Sequence, residues 1–268
     1  MRLPFGAVAK EKIRLGGMAL ANGVLVHGPT AWACAIRNAD GEIEVVARKK
    51  RLRAARVRNP ILRGPARLAE AMALLPQVKL ALPGAKLPMQ SRSTLAAIAG
   101  TSVAVRGIRE NGRLRPAAQE LLVSVLALAP ALFALRGGEL AAYHGAEHIS
   151  IGTYEHGEGA TKEHERCGGH LIGPLLATSA VGNSLASLAP ARVRNHARAA
   201  AQLGALAATT EIFGWMTRHP GNPVAQALAK PGHEIQHRLS TAEPSPEQLE
   251  VAEAALAACL ELEDGGRG

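Results

Sequence analysis

The chain has 268 residues with a net charge of +9; 47 % of them are hydrophobic, only 3 % are aromatic, and three are cysteines. That is ample length for a packed core, and three widely spaced cysteines exclude a disulfide framework. Positive charge is concentrated in Arg48 to Arg67 and Arg106 to Arg115, which points to a phosphate-bearing partner, either nucleic acid or anionic lipid.

Met1 to Gly17 carries basic residues but no apolar run of the length a signal peptide needs, so no cleaved leader is expected. From Leu15 to Arg48 the chain alternates short apolar runs with turn residues. Val24-Leu-Val26 and Ile43-Glu-Val-Val46 read as strands, and Ala31 to Ile36 with Glu42 to Val46 reads as a hairpin turned at Asp40-Gly41. The fold class is therefore α+β: a β-hairpin-rich region over 1–65, then a mostly α-helical part over 66–268.

Arg48 to Arg58 is strongly basic. Aromatic side chains that stack on bases are absent from Arg48 to Arg67, which disfavours nucleic acid. A cytoplasmic juxtamembrane stretch drawn to anionic membrane lipids accounts for the charge more simply. Leu68, Met72 and Leu75 then recur at helical spacing, predicting a helix over Ala66 to Leu75.

Three later segments are apolar enough to weigh as membrane spans. Leu121 to Leu135 is greasy but short and contains Pro130; Leu171 to Ala189 lies in a stretch free of Asp, Glu, Lys and Arg; Ala199 to Met216 includes Glu211. Buried core helices explain such runs nearly as well. The expectation is a protein of the bacterial cytoplasmic membrane, integral or peripheral, with its N-terminal region cytoplasmic; the alternative is a soluble cytoplasmic protein.

Between these segments lies the chemistry. His144-Gly-Ala-Glu147-His148 places two imidazoles about 40° apart around a helix axis, with a carboxylate on the same face. H-x-x-E-H is the inverted metalloprotease signature, in which the histidines hold zinc and the glutamate activates water. Five of the ten histidines fall between Tyr143 and His170. His164 and Cys167 form a second pair one turn apart, separated from His148 by a spacer of 15 residues that holds Glu155, Glu158 and Glu163.

Imidazole nitrogen and thiolate sulfur are what zinc accepts in tetrahedral sites. The candidate ligands for zinc, or another divalent transition metal, are thus His144, His148, Glu155, His164 and Cys167, with Glu147 as general base. Glu155 is either a ligand or the carboxylate that orients a ligating imidazole. His156, His170, His233 and His237 fit solvent or supporting positions better than ligand positions, and Tyr143 fits packing beside the site. If His144, His148, His164 and Cys167 all bind, the site is closed and structural; with three ligands and a water it is catalytic.

The last helix is marked by Ser245-Pro246-Glu247-Gln248, which combines an N-cap serine, a proline at the first helical position and a capping-box glutamine. It should run from 246 to 262, with an apolar stripe through Leu249, Ala252, Leu256, Cys259 and Leu260, making Cys259 a packed thiol.

Several stretches together resemble the YqhQ family of bacterial proteins, a family of unknown function described as metal-dependent membrane proteins. They are Gly16-Gly17-Met-Ala with Gly23 to Pro29, Asp40-Gly41-Glu-Ile, Pro60-Ile-Leu-Arg63-Gly64, Tyr143 to His148, Tyr154-Glu155, His164-x-x-Cys167-Gly168, Gln236, Ser240 to Pro244 and Glu250-Val-Ala. The resemblance implies metal binding and membrane helices, and it places the metal positions on His144, Glu147, His148, Glu155, His164 and Cys167. The chain departs from the family pattern at Asn22, Glu165 and Gly169-His170. Two functions follow: a zinc-dependent hydrolase using Glu147, or a non-enzymatic, zinc-stapled membrane scaffold or assembly factor.

Overall fold

The structure, a computed structural model, describes residues 12–265 except Met89, Gly112, Gly137 and Glu158. Met1 to Glu11, most of the segment in which no leader is expected, and the spacer carboxylate Glu158 lie outside the described residues.

Four strands form one antiparallel sheet in sequence order: β1 (Gly16–Leu20), β2 (Gly23–His27), β3 (Ala31–Arg37) and β4 (Ile43–Lys49). The expected hairpin is β3–β4, with Cys34 opposite Val46. In its turn the Asn38 carboxamide accepts from the backbone N–H groups of Asp40 and Glu42, and Gly41 adopts φ +87°. That left-handed conformation is why glycine follows aspartate here.

Alternation along β2 and β3 sends side chains to two different cores. Val24, Val26, Ala33 and Ala35 meet Tyr143, Ala146, Val251 and Ala255 on one face, whereas Leu25, Trp32, Cys34 and Ile36 meet Leu74, Val78 and Leu82 on the other. Because both faces are covered, these strands read as continuous apolar runs rather than as alternating ones.

The second face is covered by α1 (Pro60–Ala81). This helix overruns the expected Ala66 to Leu75 at both ends. Asn59 caps it, its side chain accepting from the Ile61 N–H, and Pro60 takes the first helical position, so the true start lies before Gly64-Pro65. One residue of the basic run is not solvated: Lys50 is buried and donates to Glu70 at 2.6 Å.

The first face carries α5 (Gly138–His156) and α9 (Pro246–Asp264). The Ser245–Gln248 capping box forms as expected. The buried side of α9 is Val251, Ala252, Ala255 and Cys259, with Leu249, Leu256 and Leu260 only half-buried at its flanks. Small side chains face the sheet because a helix lying flat on strands approaches closely, which turns the stripe from the one expected. Glu263 extends the helix past Leu262, its carboxylate accepting from the backbone N–H groups of Thr30 and Ala31 at 2.6 and 2.7 Å and so tying the helix end to the β2–β3 turn.

The remaining helices lie beside this layered unit: α2 (Arg92–Glu110), α3 (Pro116–Ala127), α4 (Ala129–Leu135), α6 (Ile172–Ser187), α7 (Arg194–Met216) and α8 (Pro223–Ile235), which runs into a π turn at Gln236–Ser240. Among the described residues one stretch, Ala118–Leu135 across α3 and α4, is long and apolar enough to cross a membrane, and 17 % of it is buried. The other two segments weighed for that role pair with each other as α6 and α7, Gly182 lying against Ala201.

Candidate metal centre

The H-x-x-E-H motif sits in the middle of α5, with Glu147 and His148 6 % and 2 % exposed. Gly145 is what lets other chain segments reach it. A Cβ there would lie 2.1 Å from the Ala242 carbonyl oxygen, so only glycine leaves room for Ser240 to Ala242 to cross the helix. The crossing places the Ser240 carbonyl 2.7 Å from His144 Nδ1, and the loop after α5 places the Lys162 carbonyl 2.6 Å from His148 Nδ1.

A backbone carbonyl only accepts hydrogen bonds. Both Nδ1 atoms must therefore carry the proton, which leaves both Nε2 atoms as bare lone pairs. The two rings lie 4.3 Å apart, centroid to centroid. Cys167 Sγ is 3.5 Å from His144 Nε2, and the ligand atoms of His144, His148 and Cys167 all lie within 4.8 Å of one another. Zinc–sulfur and zinc–nitrogen bonds of ordinary length at a tetrahedral angle put S and N about 3.6 Å apart. The Cys167–His144 spacing fits that edge.

His164 and Glu155 stand outside this trio. His164 Nε2 is 3.1 Å from Glu155 Oε2 and its Nδ1 accepts from the Arg166 backbone N–H at 3.3 Å, so both ring nitrogens are engaged. The other Glu155 oxygen is taken by the Arg166 guanidinium. Of the five ligand candidates, the structure gathers three and pairs the other two with each other.

Glu147 faces a cavity of about 390 Å³ bounded by β1, α5 and the loop bearing His164, Arg166 and Cys167. Gly17 of β1 seats it: a Cβ on Gly17 would lie 2.2 Å from Glu147 Oε1. Burial pushes the Glu147 carboxyl up to about 8 and the Cys167 thiol up to about 12. Burial, reinforced by His144, drives His148 down to about 2, and burial lowers His144 and His164 as well. Every group is thus held neutral by desolvation, the condition that a bound cation reverses for the carboxyl and the thiol. Arg166 is lowered by burial and then by the like charge of Arg14.

Several contributors carry no local signal in the sequence. Gln236 is fully buried; its Oε1 accepts from the His164 backbone N–H at 2.9 Å and its Nε2 reaches His170 Nδ1 at 3.2 Å, fixing the loop that carries Cys167. His170 is buried in this supporting role, whereas His156, His233 and His237 are exposed. The carbonyls of Ser240 and Lys162 act through the backbone, so their residue types say nothing. Gln236, Ser240 and Gly17 do fall within the stretches of family resemblance, the one signal that touched them.

No curated protein and no solved structure matches the chain. Residues 139–262, which contain the whole trio and the segment that orients it, match the model of a family of proteins of unknown function, DUF1385, in keeping with the resemblance read from the sequence.

Proposed function

We propose that the protein binds zinc, or another divalent transition metal, through His144, His148 and Cys167, and acts as a metal-dependent hydrolase at a membrane. The observation that carries this reading is the pair of Nε2 lone pairs, each fixed by a carbonyl behind its ring and converging with the Cys167 sulfur. The Cys167 thiol is only a weak hydrogen-bond donor to the His144 lone pair, and a metal ion would take both imidazole lone pairs and the thiolate together.

Three protein ligands leave a fourth position, and a metal held this way supplies Lewis acidity and lowers the pKa of water to about 7. Glu147 lines the adjoining cavity; its carboxyl, pushed up to about 8 by burial, would be ionised beside a bound cation and so suited to taking a proton from a water and returning it to a leaving group. A structural staple requires a fourth protein ligand, and the turning of His164 to Glu155 favours the hydrolase. Membrane association is supported by Ala118–Leu135, whose Leu121, Leu122, Val125 and Phe133 are exposed, and by Arg113 and Arg115 just before it.

Elemental analysis of the purified full chain tests the metal, with about one metal per chain expected and a loss in His148→Ala. A panel of p-nitrophenyl esters and phosphates tests the chemistry. Glu147→Gln should keep the metal and lose turnover by 10²-fold or more; a metal-free wild type, or unchanged turnover in Glu147→Gln, overturns the reading.

A further inference from the structure

The cavity beside the trio has two unlike walls. One is apolar, formed by Leu15, Met18, Leu135 and Ile151; the other carries Arg166, with the metal ligands and Glu147 at the floor. Leu135 is also the last residue of Ala118–Leu135, the apolar stretch most of which lies outside the core. The apolar stretch therefore ends at a residue that lines the cavity.

Cations cluster around Arg166. Arg14 is exposed and immediately precedes Leu15, which lines the cavity, and Lys12 reaches the carbonyl of Glu155, the partner of Arg166, at 3.3 Å. Glu155 balances one of these three cations through its contact with Arg166. Lys12 and Arg14 add positive charge beside a cavity lined in large part by apolar side chains, with the exposed carboxylate of Glu165 next to Arg166.

We infer that the substrate is an anionic amphiphile, its apolar part lying along Met18, Leu135 and Ile151 and its anionic group held at the rim by Arg14 and Arg166. This rests on the hydrolase reading and adds the substrate class to it. Leu135 joins the two surfaces, so such a molecule passes from a membrane into the cavity without its chain crossing water, while the guanidinium groups select against cationic heads. Arg166 is a positioning residue held by Glu155; Arg14 supplies the free charge.

The test uses the full chain in a non-ionic detergent, labelled with ¹³C at the methionine methyls, and octyl phosphate as probe. Met18 reports on the cavity, while Met72 and Met216 lie elsewhere. Octyl phosphate should shift the Met18 methyl and leave the other two, binding at least about ten-fold more tightly than inorganic phosphate or octyltrimethylammonium. Arg14→Glu, at an exposed site, should weaken it about ten-fold, and Leu135→Ser should do the same through the opposite wall.

An unmoved Met18 methyl overturns the proposal, as does equal affinity for inorganic phosphate, equal affinity for the cationic probe, or indifference to both variants. Zinc content measured on the same samples separates the two readings. A stoichiometric metal with no Met18 response sinks the amphiphile alone, and a Met18 response in protein that never holds metal sinks the hydrolase alone.

Discussion

Gly17 of β1 and Glu147 of α5 compete for one volume: a methyl group on Gly17 would lie 2.2 Å from Glu147 Oε1. The strand pairs through Gly17 and Val26, so the backbone is not free to retreat. Gly17→Ala should destabilise the protein by about 1–3 kcal/mol, the usual cost of overpacking. Glu147→Ala in the same chain should recover most of that loss, and a double-mutant cycle in urea should show coupling of about 1 kcal/mol or more. Additive effects would mean that the two residues do not meet.

The division of the five ligand candidates into three and two makes a prediction of its own. His144→Ala, His148→Ala and Cys167→Ser should each lower metal affinity by 10²-fold or more, while His164→Ala and Glu155→Gln should stay within about ten-fold of the parent. Competition with a chromophoric chelator reads both groups in one experiment. Loss of metal in His164→Ala equal to that in Cys167→Ser would place His164 in the coordination shell.

Metal uptake should be coupled to protons in a particular way. With Nδ1 protonated and the ring pKa values lowered, His144 and His148 are already neutral at pH 7 and release nothing. Cys167, pushed up to about 12, must give up its proton to bind as thiolate. Glu147, pushed up to about 8 and ionised by the same cation, adds a second proton. Calorimetry in two buffers of different ionisation enthalpy near pH 7 should find about two protons released per metal, and log K should rise with pH with a slope of about two. Cys167→Ser should remove one of them and Glu147→Gln the other.

Stability should depend on pH through a histidine that is not among the ligand candidates. His27 Nδ1 is 3.1 Å from Lys50 Nζ, and burial, then the Lys50 charge, hold its pKa down at about 4 against 6.5 when unfolded. Between those values the unfolded chain binds the proton and the folded one does not, so stability is complete above pH 6.5 and falls as pH drops toward 4. The loss should reach about 3 kcal/mol, and His27→Gln should flatten that window in denaturant titrations.

The part of the fold that depends on neighbours in the chain was legible. Asp40-Gly41 marked the hairpin, Ser245 to Gln248 marked the start of α9, and the helical spacing of His144, Glu147 and His148 placed them on one face. What lay beyond reach depends on encounters at long range. Ligand types alone cannot separate Cys167 from His164: one faces the Nε2 of His144, and the other is occupied by Glu155 and the Arg166 backbone N–H. The start of α1 was missed because Gly64-Pro65 reads as a turn until Asn59 is seen capping the helix in front of it.

The hydrogen bond from His144 to Ser240 spans 96 residues, and this has a consequence for when the protein becomes functional during synthesis. The H-x-x-E-H segment leaves the ribosome long before the carbonyl that fixes its tautomer has been made. A nascent chain stopped short of Ser240 holds His144 without the carbonyl that fixes its tautomer, although the Lys162 carbonyl facing His148 has been made. On the proposed reading, metal acquisition would be a late event that waits for residue 240, and a ribosome-bound chain arrested before that point should compete poorly for zinc against one released whole.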